Sequence, residues 1–284
     1  MEGKIKVAVL LTCFNRVKTT LKCLTSLYQT TVPENIKLEV FLVDDASPDQ
    51  TGKKVKELFP EVHIINGNGQ LFWNKGMRLA WESAVAHDTY DFFLWLNDDT
   101  FLKKESLINL LEDYESMPTE GIIVGNIQSE VHGDFTFGGH EESGPLKPNG
   151  KPQKVKYCNG NLVLVPQSVY QRVGILDQTY THLYGDMDYS LDVSEAGFDC
   201  YGSSKYLGYC EVNEVSYWGE PSLSFVKRLK LMHSPKGVDL FKCYYFKKKH
   251  NGQWTAIKTL VDGYAKALMP KAYRELKKSL KSVS

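Results

Sequence analysis

Short β-rich runs alternate with helical patterns through the first 111 residues, and the runs end in clusters of polar or turn-forming side chains. That alternation builds βαβ units around a mostly parallel sheet. Ile5 to Thr12 is nearly all aliphatic, as a strand covered on both faces would be. Thr19 to Tyr28 then sets Leu21, Leu24, Leu27 and Tyr28 at three- and four-residue spacing, which predicts a helix. Leu38 to Val43 reads as a second strand. It ends at Asp44-Asp45-Ala46-Ser47-Pro48, where turn formers start a helix with Val55 and Leu58 on its buried side. Val62 to Ile65 is the third strand, followed by a helix from about Asn74 to Ala86 carrying Met77, Leu79, Ala80, Trp81 and Ala84. Asp91 to Leu96 is the fourth, running into Asn97-Asp98-Asp99-Thr100 and a helix around Leu107, Leu110 and Leu111. Ligands of open α/β sheets bind beyond the carboxyl ends of the strands, so these polar clusters should converge on one crevice.

Beyond residue 120 the pattern loosens. Strand-like pieces at Ile122 to Val124, Phe135 to Phe137 and Asn161 to Val165 flank a Gly/Pro/Lys-rich stretch from Gly138 to Lys156, read as an exposed loop. A helix is expected from Asp186 to Ala196, two short strands near Phe198 to Tyr201 and Leu207 to Val212, and helices from Leu223 onward. The formal charge of zero hides an asymmetry: residues 225–284 hold fifteen Lys/Arg against three Asp/Glu, so residues 1–224 carry 19 − 31 = −12. The six cysteines form no C-x-x-C pair and no zinc spacing, which makes buried free thiols the expectation. No run approaches the roughly 18 to 20 apolar residues of a spanning helix, and Met1 leads into a strand without a signal-peptide core. A cytoplasmic protein is expected.

Several clusters bear on chemistry. Asp98 and Asp99 follow a strongly apolar strand, and carboxylates this close repel unless a cation holds them. Mg²⁺ or Mn²⁺, which takes one or two carboxylates plus substrate phosphates, suits the pair; a helix N-cap is the plainer alternative. Asp44-Asp45 offers acceptors for a base or a ribose hydroxyl, or simply makes a turn. Gly67-Asn68-Gly69-Gln70 and Phe72-Trp73-Asn74-Lys75-Gly76 combine flexible backbone with an aromatic that either stacks on a sugar or fills the core. They do not make a dinucleotide fingerprint. Cys158-Asn159-Gly160-Asn161 is a close-approach turn or a simple one. Asp186-Met187-Asp188 starts a helix and supplies a base or a cap, and His233 lies in a break between helical stretches.

Thr12-Cys13-Phe14-Asn15-Arg16, Val43-Asp44-Asp45-Ala46-Ser47, Leu96-Asn97-Asp98-Asp99 and Tyr184-Gly185-Asp186-Met187-Asp188-Tyr189 resemble the successive motifs of family 2 glycosyltransferases. The resemblance spans roughly residues 5 to 200. It implies a GT-A fold, an α/β architecture with a Rossmann-like, mostly parallel sheet and helices on both faces, over residues 1–222. Residues 1–118 form the nucleotide-sugar-binding half and 119–222 the acceptor half, with a helical basic extension over 223–284.

By the same resemblance, Thr12, Phe14 and Asp45 line the nucleobase and ribose pocket, with Asn15 and Asp44 beside them and Asp98 near the ribose and diphosphate. Asp99 is the metal-binding member for Mg²⁺ or Mn²⁺, and His233 is a further candidate ligand from a late loop. Asp186 matches the catalytic base and Asp188 is the fallback; the position before, often Glu in the family, is Gly185 here. Gly69, Trp73, Asn74, Asn159 and Gly160 fall to the donor and acceptor sugars. Asn97 departs from members with an acidic first position.

The implied activity is inverting transfer of a hexosyl or rhamnosyl group from a nucleoside-diphosphate sugar, UDP- or dTDP-linked, to a saccharide or lipid-linked acceptor in bacterial surface-polysaccharide synthesis. The basic tail itself reads as a solvated helical surface or as a patch that docks on an anionic membrane, with Val261, Tyr264, Leu268, Tyr273 and Leu276 as an interfacial or packing stripe; no nucleic-acid motif accompanies it. Two rivals stand beside this reading. A metal-dependent phosphoryl-transfer enzyme would need a nucleophilic Asp after the first strand, where Thr12-Cys13-Phe14-Asn15 stands, and a non-catalytic nucleotide-sugar-binding protein would be favoured by loss of the acidic sites.

Overall fold

The computed structural model describes residues 4–212, 218–273 and 275. The chain falls into two compact units, Met1–Gln178 with Gly185–Val212, and Thr179–Tyr184 with Asn213–Ser284. The first unit opens with the expected alternation: β1 (Ile5–Cys13), α1 (Val17–Tyr28), β2 (Ile36–Asp44), α2 (Thr51–Leu58), β3 (His63–Asn66), α3 (Phe72–His87) and β4 (Phe92–Leu96). β5 (Phe101–Leu102), α4 (Ser106–Glu115) and β6 (Gly121–Gln128) follow. Five short strands come next: β7 (Phe135–Phe137), β8 (Gly139–Glu141), β9 (Gly144–Pro145), β10 (Gln153–Lys154) and β11 (Tyr157–Cys158). β12 (Leu162–Pro166), α5 (Gln167–Val173), α6 (Gly185–Glu195) and β13 (Asp199–Tyr209) complete the unit.

The main sheet has the order β10-β13-β6-β12-β4-β1-β2-β3. β3, β2, β1 and β4 are parallel, β12 runs antiparallel between β4 and β6, and β13 is again parallel to β6. The pleat explains why β1 is aliphatic throughout, since successive side chains point to opposite faces. Val7, Val9 and Leu11 pack with Leu24 and Leu27 of α1, Val55 of α2 and Leu110 of α4. Ala8 and Leu10 pack with Met77, Ala80 and Trp81 of α3 and Val193 of α6. Helices therefore cover both faces. The chain leaves β1 toward β2 and β3 on one side and returns to place β4 on the other, which opens a crevice beyond the carboxyl ends of β1 and β4.

Three local expectations are corrected. Leu58 is exposed, because α2 has only two turns and Val55 already occupies the inward side. Residues 138–156 are not a plain loop: β8 pairs with β9 and β11 in a small separate sheet, and β10 extends the main sheet beside β13. The two strands expected between Phe198 and Val212 are one, β13, whose pairing with β6 shifts register between Gly202 and Gly208. That irregularity breaks the period-2 pattern on which the sequence reading relied.

The second unit holds α7 (Phe225–Met232), α8 (Leu240–Asn251) and α9 (Gln253–Leu268) around Met232, Leu240 and Ala267. Ser224 caps α7 by accepting the Lys227 N–H, and buried Arg228 donates through Nε to the Ala267 carbonyl at 2.8 Å. Tyr184 belongs to this unit, donating to the Val238 carbonyl at 2.7 Å and stacking on Phe246. Leu276, expected on the helical stripe of the tail, lies outside the described residues. All six cysteines are buried and free.

The β2–α2 connection hangs on one carboxylate. Asp44 accepts the backbone N–H groups of Ser47 at 3.0 Å and Gly52 at 2.8 Å, the second of them buried. Stranding a buried donor costs about 1–3 kcal/mol. Asp44→Ala should therefore lower the urea-unfolding free energy by about that amount. An unchanged midpoint and slope would show that the carboxylate does not hold the turn.

Candidate active site

Two strand ends face each other across the crevice. The β1 end turns through Asn15, whose φ of 55° is one that Asn tolerates, into Arg16 at the cap position of α1. A cation at a helix N-terminus opposes the helix dipole, so it must be held by something else. Its Nη1 lies 2.9 Å from Asp98 Oδ1 and 2.8 Å from Asp99 Oδ2, at the end of β4. Thr20 Oγ1 also donates to Asp98, at 3.1 Å, and the Cys210 thiol points at Asp99 Oδ1 from 3.7 Å.

One guanidinium nitrogen thus sits where two carboxylates converge. It stands in for a cation, and the pair fits a divalent ion that would share its remaining positions with phosphate oxygens. Burial, opposed by Arg16 and reinforced by Asp99, pushes the Asp98 carboxyl up to about 7. Burial works against the charge of Arg16 as well, but the two carboxylates outweigh it and raise its pKa.

The second acidic cluster serves its own loop. Asp45 accepts the N–H groups of Gly69 at 2.7 Å, Leu71 at 2.8 Å and Phe72 at 3.2 Å, which fixes the segment between β3 and α3. Phe72 is held there at φ 55°, a strained value for a bulky residue and one that persists only where neighbours enforce it. Phe14 is 47% exposed beyond β1, Thr12 is half-buried, and the Asn15 N–H donates to Ser47 Oγ at 2.9 Å.

A contact chain runs from the acidic turn to the candidate base. Trp73 Nε1 donates to Asn97 Oδ1 at 2.6 Å, so the departure at Asn97 supplies the acceptor that anchors this indole. The ring lies over Gly160, where a β-carbon would come within 2.2 Å of it. The Gly160 N–H donates to Asp186 Oδ2 at 3.0 Å, and Asp186 Oδ1 accepts the Met187 N–H at 2.9 Å at the start of α6. Burial raises the Asp186 pKa, while those two N–H groups and the charge of His140 pull it back. Gly185 is confined in turn, since a β-carbon there would meet Asn74 Oδ1 at 1.7 Å. A larger residue before Asp186 would require the Asn74 side chain to move.

Asp188 is 1% exposed, whereas Asp186 is half-buried. Asn159 Oδ1 faces His140 Nε2 at 2.7 Å, and Asn74 Nδ2 donates to the Asp177 carbonyl at 2.8 Å. His233 belongs to the second unit, where its ring stacks on Phe241 and its Nε2 lies 3.3 Å from Tyr264 Oη. Among the described residues, Arg16 and His140 join the site without having been singled out in the sequence. The basic residue at a helix start was the available signal for the first; nothing marked the second.

The Glycosyl transferase family 2 model matches residues 8–178. Poly-beta-1,6-N-acetyl-D-glucosamine synthase of Staphylococcus epidermidis is 26% identical over 120 residues, which is 42% of this chain and 28% of that protein. The chain therefore matches little more than a quarter of that relative's length. Among solved structures, S. aureus TarS 1-349 in complex with UDP-GlcNAc is similar with a TM-score of 0.59 and 14% identity, covering 93% of this chain and 82% of that one. The mannosyltransferase PcManGT of Pyrobaculum calidifontis, in complex with GDP-Man and Mn²⁺, gives a TM-score of 0.56 at 16% identity, covering 100% and 82%. These likenesses establish the GT-A fold.

A divalent ion bound at Asp98 and Asp99 would compete with Arg16 for the same oxygens, and hydrogen bonds to charged groups contribute about 1.5–3 kcal/mol each. Arg16→Ala should therefore tighten Mn²⁺ binding in the absence of nucleotide, by roughly 10- to 100-fold on the scale of tenfold per 1.4 kcal/mol. Titration followed by the electron paramagnetic resonance of free Mn²⁺ measures it. Unchanged or weaker binding would contradict the competition.

Proposed function

The chain belongs to glycosyl transferase family 2, and on that premise we propose that it is an inverting, metal-dependent enzyme moving a hexosyl or rhamnosyl group from a UDP- or dTDP-sugar to a saccharide or lipid-linked hydroxyl. The observation that carries the reading is the convergence of Asp98 and Asp99 on one cationic nitrogen at the crevice, joined through Asn97, Trp73 and Gly160 to Asp186. A phosphoryl-transfer enzyme would need its nucleophilic carboxylate at the end of β1, where Thr12 and Cys13 stand. Surface-polysaccharide synthesis is the proposed setting, supported by the synthase relative.

In this reading Phe14 offers its exposed ring to the base, with Thr12, Asn15, Asp44 and Asp45 shaping the pocket around base and ribose. Asp98 and Asp99 would hold Mg²⁺ or Mn²⁺ together with the diphosphate. A divalent ion bound there neutralises charge developing on the departing nucleoside diphosphate. Gly69, Trp73 and Asn74 border the donor sugar, while Asn159 and Gly160 border the acceptor. Asp186 takes the proton of the acceptor hydroxyl as its oxygen bonds to C1 and the C1–O bond to the diphosphate breaks. Asp186 is only partly buried, which suits that role better than Asp188 at 1% exposure. A thermal-shift panel of UDP-, GDP-, CDP- and dTDP-sugars with and without Mn²⁺ tests donor class. Stabilisation by UDP- or dTDP-sugars that requires metal is expected, and no response to any of them would overturn the proposal.

Asp186→Asn should bind donor normally and lose transfer by about 10²- to 10⁴-fold at saturating substrates, with Asp188→Asn retaining more. The base works ionised, so activity is present above its pKa and falls as pH drops through it. Because burial raises that pKa, the acid limb of kcat should lie above the ordinary aspartate value of about 3.9. Near-parent turnover by Asp186→Asn with a dead Asp188→Asn would reverse the roles.

We further propose peripheral docking on an anionic lipid surface at the cytoplasmic face. On α9, Trp254, Ile257, Val261, Tyr264 and Leu268 recur at three- and four-residue spacing and are all exposed, Trp254 by 84%. Lys247, Lys248 and Lys249 end the preceding helix. An exposed apolar stripe in a basic segment suits insertion at an interface, and no described helix is long and apolar enough to cross a membrane. The chain should sediment with anionic liposomes at low salt and less at high salt. Equal partitioning onto neutral and anionic liposomes would refute this.

A further inference from the structure

One cluster of metal-binding side chains lies away from the crevice. Glu39 on β2, His63 at the start of β3 and His87 at the end of α3 bring one ligand atom each to within 4.8 Å of one another. Glu39 precedes Asp44 by five residues on β2, roughly 16 Å along a strand, so the cluster sits toward the opposite end of the strands from the acidic turn.

Its packing resembles a prepared ligand set. The His63 ring lies flat on Phe41, with centroids 4.6 Å apart and planes at 10°, and the His87 ring meets the same Phe41 at 66°. The two imidazoles are themselves 4.6 Å apart. Tyr90 Oη donates to Glu39 Oε2 at 2.6 Å, and His87 Nε2 approaches that oxygen to 3.8 Å. An outer hydrogen bond that orients a ligating carboxylate is a recurrent feature of metal sites. Lys37 pairs with the other oxygen of Glu39, which leaves Oε2 to face the histidines.

An ion pair between Glu39 and a protonated His87 would account for two of these groups. It gives no reason for a second imidazole to be packed beside them.

We propose that Glu39, His63 and His87 bind a Zn²⁺-like borderline cation, with the half-exposed side of His87 leaving a position for water. Two imidazoles and a carboxylate select such an ion over Mg²⁺, which prefers an all-oxygen shell. The ion would clip β2, the edge strand β3 and the end of α3 together. β3 leads directly into the segment that Asp45 fixes, so the clip would stabilise the border of the crevice from its far side.

The test uses the full chain in excess Mg²⁺, which occupies oxygen-only sites. Calorimetric titration with ZnCl₂ is run on the parent, on His87→Ala and on Glu39→Gln, with Co²⁺ absorption as the spectroscopic readout. The His87 side chain is 48% exposed, so its replacement should leave the fold intact; circular dichroism checks this. The parent should bind one Zn²⁺ equivalent that raises its Tm and should give Co²⁺ d–d bands. Each variant should lose about tenfold or more in affinity together with those bands. No Zn²⁺ binding by the parent, or equal binding by parent and folded His87→Ala, would overturn the assignment.

Discussion

Two carboxylates held side by side at the end of a buried strand repel each other, and in this chain that repulsion is met by a cation from the neighbouring strand. Asp98 and Asp99 emerge from β4, whose Phe93, Leu94, Trp95 and Leu96 are all buried, so neither can drift far into solvent. Arg16 reaches them because β1 and β4 are adjacent and parallel, with their carboxyl ends at the point where the sheet reverses its winding. The same geometry lets one guanidinium nitrogen share Asp98 and Asp99, the position that the proposed divalent ion would take.

The rest of the site is positioned from this turn by contacts that leave little freedom. Asn97 fixes Trp73, Trp73 covers Gly160, and Gly160 orients Asp186. Beneath them Trp95 packs edge-on to Trp73 and Trp81 and against Tyr189 of α6, so α3, β4 and α6 share one aromatic layer. A shift of one helix would therefore move Trp73, Gly160 and Asp186 together. The strain at Phe72 is held by Asp45, a second carboxylate whose hydrogen bonds organise backbone in the crevice wall.

Much of the fold was legible because the sheet is covered on both faces. Aliphatic runs and helical spacing located β1 to β4 and α1 to α4 to within a few residues, and the polar ends of β1, β2 and β4 announced the crevice. Legibility failed where the cause was tertiary. The antiparallel β12 reads like any apolar strand, the irregular register of β13 hides its continuity, and short α2 leaves Leu58 outside. Tyr184 joins the second unit through contacts with Val238 and Phe246, more than fifty residues away in sequence, which no local pattern carries. In the site, residue types pointed to Asp98, Asp99 and Asp186. The links that Arg16 and Asn97 make needed coordinates, because both depend on which strand ends become neighbours.

The most direct test of the account is calorimetric titration of UDP and dTDP into the parent chain and Asp99→Asn, each with and without Mn²⁺. The substitution keeps the side chain's size and removes one charge of the pair. The account predicts that nucleotide binding by the parent strengthens with Mn²⁺ and that Asp99→Asn, folded as the parent is, loses that enhancement. Equal affinity and equal metal dependence in the two proteins would contradict the assignment of the Asp98–Asp99 turn as the cation and diphosphate site.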